Sequence, residues 1–513
     1  MANDTPRSKF RKKALRGAAV GLAVFALTLL LNFSGAFRTL EWRSWDARLK
    51  ILADPGRAST DIVLMAVDQA SLDVFEKEQG LGWPWPRQIY ASVLDFLKAG
   101  GAKAVFFDIM MTEDSTFGVD DDLLLAEAMT RSANVVLPFF LSLEEKESDP
   151  GARQILERSA LKTGTSPSRL VGPPAKSVSL PVAELAAAAA RMGNVQFVPD
   201  GDSVYRRLQL LTEYEGLVLP CLPLTLADFL DLGPDPAEVP LDRSGAMILR
   251  YYGPEMTYKT YSIGAIINSQ ARIEEGLEPQ VQPAEFSGKT VIIGATAAGL
   301  YDLRPTPFGG VYSGMEIHAT ALDNIVHEDF IRRAPAAVTW ISALVLAFAA
   351  GIGTSLLKKT GHMAVFGLAV PAVAAAGSLL AVRSGGWVDL VAPGFAAIGA
   401  FIAAALLSYG VEGRQRRFIK SAFRHYLSPQ VIDRVLDNPS LLRLGGERRE
   451  ISAFFSDVAG FTSISERLSP EELVGLLNAY LSDMTDIILE LGGTLDKYEG
   501  DAIIAFWNAP VEQ

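Results

Sequence analysis

Apolar residues in this chain gather in four long blocks, and the stretches around them follow two shorter rhythms. Residues 17–33 are almost unbroken apolar sequence, and 336–357, 363–382 and 388–407 form three more blocks, with Asp389 the one charge inside them. A helix of about 20 such residues rises about 30 Å, the thickness of a bilayer's hydrocarbon core. The pattern therefore predicts four transmembrane helices, at 17–37, 336–357, 363–382 and 388–410.

Their flanks suggest an orientation. Arg7, Lys9, Arg11, Lys12, Lys13 and Arg16 precede the first block, Lys358 and Lys359 join the second to the third, and "GRQRRFIK" follows the fourth. Basic residues favour the cytoplasmic side, so residues 1–16, that loop and everything after the fourth helix are expected there. Arg332 and Arg333, on the other side, dissent. A cleaved signal peptide ending at Ser34-Gly35-Ala36 is the rival reading of the first block. The block is long for a signal peptide, which favours an anchor, and either reading leaves the carboxyl-terminal side cytoplasmic.

Between the first two blocks the rhythm changes. "DIVLMAV" (61–67), "AKAVFFDI" (102–109), "ANVVLPFFL" (133–141) and "KTVIIGATAAG" (289–299) read as buried strands, and 89–99 and 121–131 as helices. Such alternation predicts an α/β domain with a largely parallel sheet over 38–333. "NVQFVPDGDSVYRRLQLL" (194–211) reads instead as an antiparallel hairpin turning at Asp200-Gly201-Asp202. Asp68 and Asp108 stand at strand ends, where open α/β sheets bind ligands. The plainer role for Asp68 is to cap the helix that starts near Ser71, and for Asp108 to fix a loop. His318 reads as a packed helix residue, because no cluster of metal-binding side chains surrounds it in sequence.

After the fourth block, 411–445 reads as a coupling helix and linker. Arg414, Arg416, Arg417 and Lys420 suit an anchor to anionic lipid, and Phe418, Ala422 and Phe423 suit pairing with a second copy. "EISAFFSDV" (450–458) is a strand ending at Asp457, followed by the turn "AGFTSIS". Ser469 and Glu472 have capping-box spacing around Pro470, and Leu473, Leu477, Tyr480, Leu481, Met484 and Ile488 then recur at helical steps up to Gly492-Gly493. "LDKYEGDAIIAFW" follows as a hairpin, with Lys497 and Asp501 near its tip. Two carboxylates brought together, Asp457 and Asp501, can hold a hard divalent cation that also rides on substrate phosphates. Two such ions can serve an in-line displacement. The turn amides near Gly460, Phe461 and Thr462 could meet phosphate oxygens. Each feature alone also fits a cap or a solvated turn.

Composition narrows this further. The 513 residues leave room for two or three domains, and a net charge of -12 argues against a nucleic-acid partner. Cys221 is the single cysteine, so no intrachain disulfide forms.

Two resemblances add to this reading. "GWPWPRQIYASVLDFLKAGGAKAVFFDI" with "VIIGATAAGLYDLRPTPFGGVYSGMEIHATALDNI" resembles a CHASE2 domain, an extracytoplasmic input module of bacterial signalling proteins with no settled ligand. "FFSDVAGFTSISE" and "LDKYEGDAIIAFW" resemble the two metal-binding segments of class III nucleotide cyclases. The implied protein is a multi-pass membrane receptor adenylate cyclase of a bacterial inner membrane, with a periplasmic sensor and a cytoplasmic α+β, ferredoxin-like catalytic domain from 446. It would convert ATP to 3',5'-cyclic AMP and pyrophosphate as a homodimer. By the same resemblance Asp457 and Asp501, with the Val458 carbonyl, hold two Mg2+ or Mn2+ ions. Gly460, Phe461 and Thr462 would meet the triphosphate and Lys497 the adenine, since a lysine donates to N1 of adenine but meets a donor at N1 of guanine. A guanylate or relaxed-specificity cyclase is an alternative, as is a receptor with a cyclase-like dimerisation tail. The family's second base-reading residue and its transition-state asparagine and arginine are expected beyond Gln513, which would leave this stretch of chain inactive alone.

Overall fold

The computed structural model describes residues 6–145, 151–161, 171–242, 244–300, 303–357, 359–423, 448–509 and 512–513. The chain divides into two compact units, one over Leu15–Gly353 and Lys359–Ala400, the other containing Phe401–Gln513.

In the first unit the opening apolar block lies in helix α1 (Pro6–Phe33), which takes in the basic flank as well. It ends at a turn where Gly35 adopts φ +81°, four residues before the expected end of the span at 37. Helix α2 (Arg38–Ile51) follows directly.

A largely parallel sheet comes next. Its strands are β1 (Ile62–Val67), β2 (Ala104–Asp108), β3 (Val135–Ser142), β4 (Ser177–Ser179), β5 (Arg191–Asn194), β6 (Lys259–Ser262) and β7 (Thr290–Ala295). The spatial order is β6–β1–β7–β2–β3, with β5 parallel and β4 antiparallel along β3. All six residues of β1 are buried. Val63, Met65 and Val67 enter one core, and Ile62, Leu64 and Ala66 the other. A strand buried on both faces reads as a continuous apolar run, which is why these strands stood out in the sequence. Helices α3 (Gln69–Gln79), α4 (Arg87–Ala99) and α5 (Val119–Ser132) contribute to the first core and α6 (Gly314–Val326) to the second. Asp68 caps α3, accepting the Ser71 N–H at 2.8 Å. His318 is 1% exposed on α6, between the rings of Phe106 and Phe197, with Nε2 3.5 Å from Asp108.

The expected hairpin over 194–211 does not form. A tight turn is present, with the Asp200 N–H bonded to the Val204 carbonyl at 3.0 Å. Its arms part, however: β5 joins β3, and Arg207–Gln209 pairs with Ala246–Ile248. The turn's carboxylates serve another purpose. Asp200 and Asp202 hold Arg206 at 3.1 and 2.8 Å.

Helices α7 (Ala336–Leu356), α8 (Thr360–Arg383) and α9 (Val391–Phe423) carry nearly all of the three later blocks, α7 ending one residue before the expected 357 and α9 starting three residues after the expected 388. With α1 they are long and apolar enough to cross a membrane. Helix α9 runs on into the expected coupling segment as far as Phe423, and 424–447 lie outside the described residues. Gly17 and Gly21 on α1 face Gly351 and Ala347 on α7. A Cβ on Gly17 would stand 2.5 Å from the Gly351 carbonyl oxygen, and one on Gly21 2.8 Å from that of Ala347. Small residues four apart let helix backbones touch in lipid, where no hydrophobic force drives association.

Helix α2 ties the sheet domain to the loop between α8 and α9. Its Glu41 accepts the backbone N–H groups of Leu390 and Val391, both at 2.9 Å, and so caps α9 from outside. Arg48 pairs with Glu41 and donates to Ser378 Oγ and, at 2.7 Å, to the Val388 carbonyl. Trp45 stacks on Trp387 with centroids 4.1 Å apart. Asp46 faces the other way and binds Arg206 through two bonds of 2.7 Å. Arg333, one of the dissenting basic pair, is occupied in this loop, 3.3 Å from Asp389 and over the Trp387 ring.

The second unit holds strand β8 (Ser452–Ser456), the short helix α10 (Phe461–Ser465), helix α11 (Pro470–Glu490) and strands β9 (Thr494–Glu499) and β10 (Ala502–Trp507). Ser469 and Glu472 form the expected capping box. The helix closes in a Schellman turn: Gly492 at φ +80°, its N–H on the Leu489 carbonyl, and the Gly493 N–H on that of Ile488. Strand order is β8–β10–β9, with β10 antiparallel to both neighbours, as in half of a ferredoxin-like sheet. Ile488 packs on Leu495, Ile503 and Ala505, so α11 covers one face.

Candidate active site

The β8–β10 register explains why Asp457 meets Asp501. Ser456 pairs with Ile503, so the next residue of the chain leaves β8 beside the start of β10. At that end a two-residue turn, Gly500-Asp501, joins Glu499 to Ala502. Gly500 takes φ +66°, a conformation that costs a glycine nothing. The Asp501 carboxylate accepts the Val458 N–H at 3.1 Å, which fixes it against the segment that carries Asp457.

The neighbouring Asp501 carboxyl holds Asp457 above the usual carboxylate range, first by favouring a proton shared between the two groups and then by the repulsion of a second negative charge. Two carboxylates this close, Asp457 exposed and Asp501 half-buried, make a hard, oxygen-only donor set lacking a positive charge. The residues therefore fit a divalent cation, bound with help from substrate oxygens and water. Among the described residues no third His, Cys, Asp or Glu joins them.

The turn residues fit their expected role less well. Gly460 begins α10 at φ +73°, but the Phe461 N–H donates to the Val458 carbonyl at 3.1 Å. The expected phosphate donor and the expected metal-ligating carbonyl thus engage each other here. Thr462 follows in the first turn of α10, and its carbonyl accepts from Ser465 Oγ at 2.9 Å.

Lys497 is not at the hairpin tip. It lies within edge strand β9, opposite Ile504, with Nζ 3.4 Å from Glu499 and the side chain 55% exposed. Leu495 pairs with Ala505 and Lys497 with Ile504, so Asp496 is an extra residue, a β-bulge. Without it Lys497 would pair with Ile503 and point towards α11. The bulge reverses that alternation and sets Lys497 in one row with Ile504 and Phe455, on the face α11 leaves bare. Phe455 is 72% exposed there. Sequence reading missed this, because no residue type marks Asp496 as the extra one.

Comparison with known proteins is consistent with this arrangement. Residues 20–358 match the CHASE2 domain, and residues 446–512 match the adenylate and guanylate cyclase catalytic domain. An adenylate cyclase 1 from Rhizobium meliloti (strain 1021) is 33% identical over 89 residues, covering 17% of this chain and 13% of that protein. An adenylate cyclase from Anabaena cylindrica is 36% identical over 92 residues, 18% of this chain and 17% of its own length. An adenylate cyclase type 10 from Rattus norvegicus is 32% identical over 110 residues, 18% and 7% respectively. The chain therefore matches these curated relatives over a small part of their lengths.

Proposed function

The chain belongs to the CHASE2 domain family, and we propose that it is a membrane receptor that makes 3',5'-cyclic AMP from ATP when an extracytoplasmic signal reaches it. The observation that carries this reading is the Asp457–Asp501 pair, two neighbouring carboxyl groups, with Asp501 held on the Val458 N–H, at the end of a sheet segment that matches a nucleotide cyclase domain. In the reaction the ribose 3'-oxygen attacks the α-phosphorus, the bond to the β-phosphate's bridging oxygen breaks, and pyrophosphate leaves. A divalent cation bound at the pair, Mg2+ or Mn2+, supplies charge that offsets the triphosphate's own. Asp457 and Asp501 hold that cation and orient the phosphates against the β8–β10 end. Lys497 donates to N1 of adenine across a homodimer, each site taking the aspartates from one copy and the lysine from the other. The open row of Phe455, Ile504 and Lys497 supports that pairing. The α1–α7 contact through Gly17, Gly21 and Gly351 supports a retained anchor.

The test is cyclase activity of the full gene product in membranes, with ATP or GTP at matched metal. Activity should require the divalent ion, and Asp457→Ala or Asp501→Ala should lower it about 100-fold or more, the usual cost of losing electrostatic stabilisation at a reacting phosphate. Near wild-type rate in either variant would remove the assignment. Lys497→Glu should lower kcat/KM for ATP roughly 5- to 150-fold, the cost of one unpaired polar contact. It should leave metal-dependent thermal stabilisation unchanged. Equal use of ATP and GTP by the wild type would favour a relaxed-specificity cyclase instead.

A further inference from the structure

Helix α2 meets the membrane-crossing helices at one shared end. Its Glu41 holds the N–H of Val391, where the last span begins, and its Arg48 reaches Ser378, within the last two turns of the third. That level is the boundary between hydrocarbon and water. Counting about 100° per residue, four stripes follow one another around α2. Glu41, Trp45 and Arg48 face the spanning helices and the loop between α8 and α9. Next to them come Leu40 and Ile51, 52% and 69% exposed. Arg43 and Lys50 follow, both exposed, with Ala47 exposed between these two stripes. Trp42 and Asp46 close the circle against Arg206 of the sheet domain. Among the described residues neither the Arg43 nor the Lys50 side chain has an ion pair or a hydrogen bond.

We propose that the exposed face of α2 docks on anionic phospholipid headgroups of the leaflet beside it. The order of the stripes carries the argument. The apolar pair adjoins the side that faces the spanning helices, and the basic pair adjoins the side that faces the sheet domain. Apolar groups are thus turned towards hydrocarbon and cations towards the phosphates above it, the arrangement of an interfacial helix. The long stems of Arg43 and Lys50 cover apolar surface while their charged heads reach outward. The face holds two cations and no carboxylate, in a chain whose net charge is -12. Anionic headgroups supply the missing negative charge. A second copy packed on this face across a two-fold axis would instead bring like charges together. The inference rests on the four helices crossing a bilayer and not on the cyclase reading.

The experiment is spin-label accessibility of the full chain in vesicles of phosphatidylcholine, alone or mixed equally with phosphatidylglycerol. Ala47→Cys places a nitroxide on the exposed face, and the native Cys221, 1% exposed, stays unlabelled. The label at 47 should be shielded from a neutral, water-soluble nickel chelate, and more so with phosphatidylglycerol than without it. That difference should shrink at 1 M salt, where the screening length falls to about 3 Å. It should vanish in the double variant Arg43→Gln, Lys50→Gln, whose unfolding midpoint in uncharged detergent should be unchanged; the comparison of the two vesicles needs no variant. Val345→Cys, 57% exposed on α7, reports on the membrane separately: its label should meet oxygen and not nickel, whereas one at exposed Glu76→Cys on α3 should meet nickel freely. Nickel access at 345 would overturn the membrane reading and this inference with it. With 345 shielded, three results would overturn the headgroup contact alone: free nickel access at 47 in both vesicles, equal shielding there in both, or a difference that survives the double substitution.

Discussion

Glu316 shows what burial does to a single residue here. It is 3% exposed on α6 and accepts the backbone N–H groups of Met256 and Thr257 at 3.3 and 2.9 Å. Burial, with Glu255 adding repulsion, lifts its pKa from 4.5 to about 7, against the pull of those amides. A folded-state pKa above the unfolded one means a stabilising contribution that is complete below about pH 4.5 and fades as pH rises through about 7. The expected loss across that window is on the order of 3 kcal/mol. Thermal unfolding of wild type against Glu316→Gln should show it: the wild-type midpoint falls relative to the variant's between those pH values. Parallel pH profiles would refute the assignment. Residue roles that depend on near neighbours in the chain were legible beforehand, as with Asp68 three positions before Ser71. Lys497 was not, because its direction depends on a bulge that only the pairing of β9 with β10 reveals.

Among the elements, the α1–α7 contact gives the firmest expectation. Gly17→Leu places a side chain where even a Cβ meets the Gly351 carbonyl at 2.5 Å. Forced separation of packed helices costs about 1–3 kcal/mol. The detergent-solubilised variant should unfold at lower temperature, whereas Gly361→Leu, at a position with open space around it, should not. Similar midpoints for the two variants would mean that α1 does not depend on this packing. The parallel strands and the four spans were readable because burial on both faces, or by lipid, writes a long apolar run. The hairpin over 194–211 was misread for the opposite reason. A turn such as Asp200-Gly201-Asp202 specifies a local reversal but not the partners of its arms, and here the main sheet took one arm. Helix α2 went unread as well, since its buried Glu41 and Arg48 resemble the charges of an ordinary surface helix.

For the whole molecule, the proposed topology puts 38–333 outside the membrane and the chain beyond 411 inside. It rests on the basic flanks and on three helices after the sheet domain. The pairing of Arg333 with Asp389 accounts for half of the dissenting basic pair. Protease added to the outer face of spheroplasts should cut within 38–333 only; cutting after 411, with the first region protected, would reverse the receptor reading. Helix α2 also bears on how such proteins can be recombined. The stretch matching the CHASE2 domain ends at residue 358, yet Glu41 and Arg48 are solvated by groups on Ser378, Val388, Leu390 and Val391. A chimera joined at 358 would pair these buried charges with a foreign loop. A gene fusion that exchanges the input module intact has to carry it from the first helix to at least Val391.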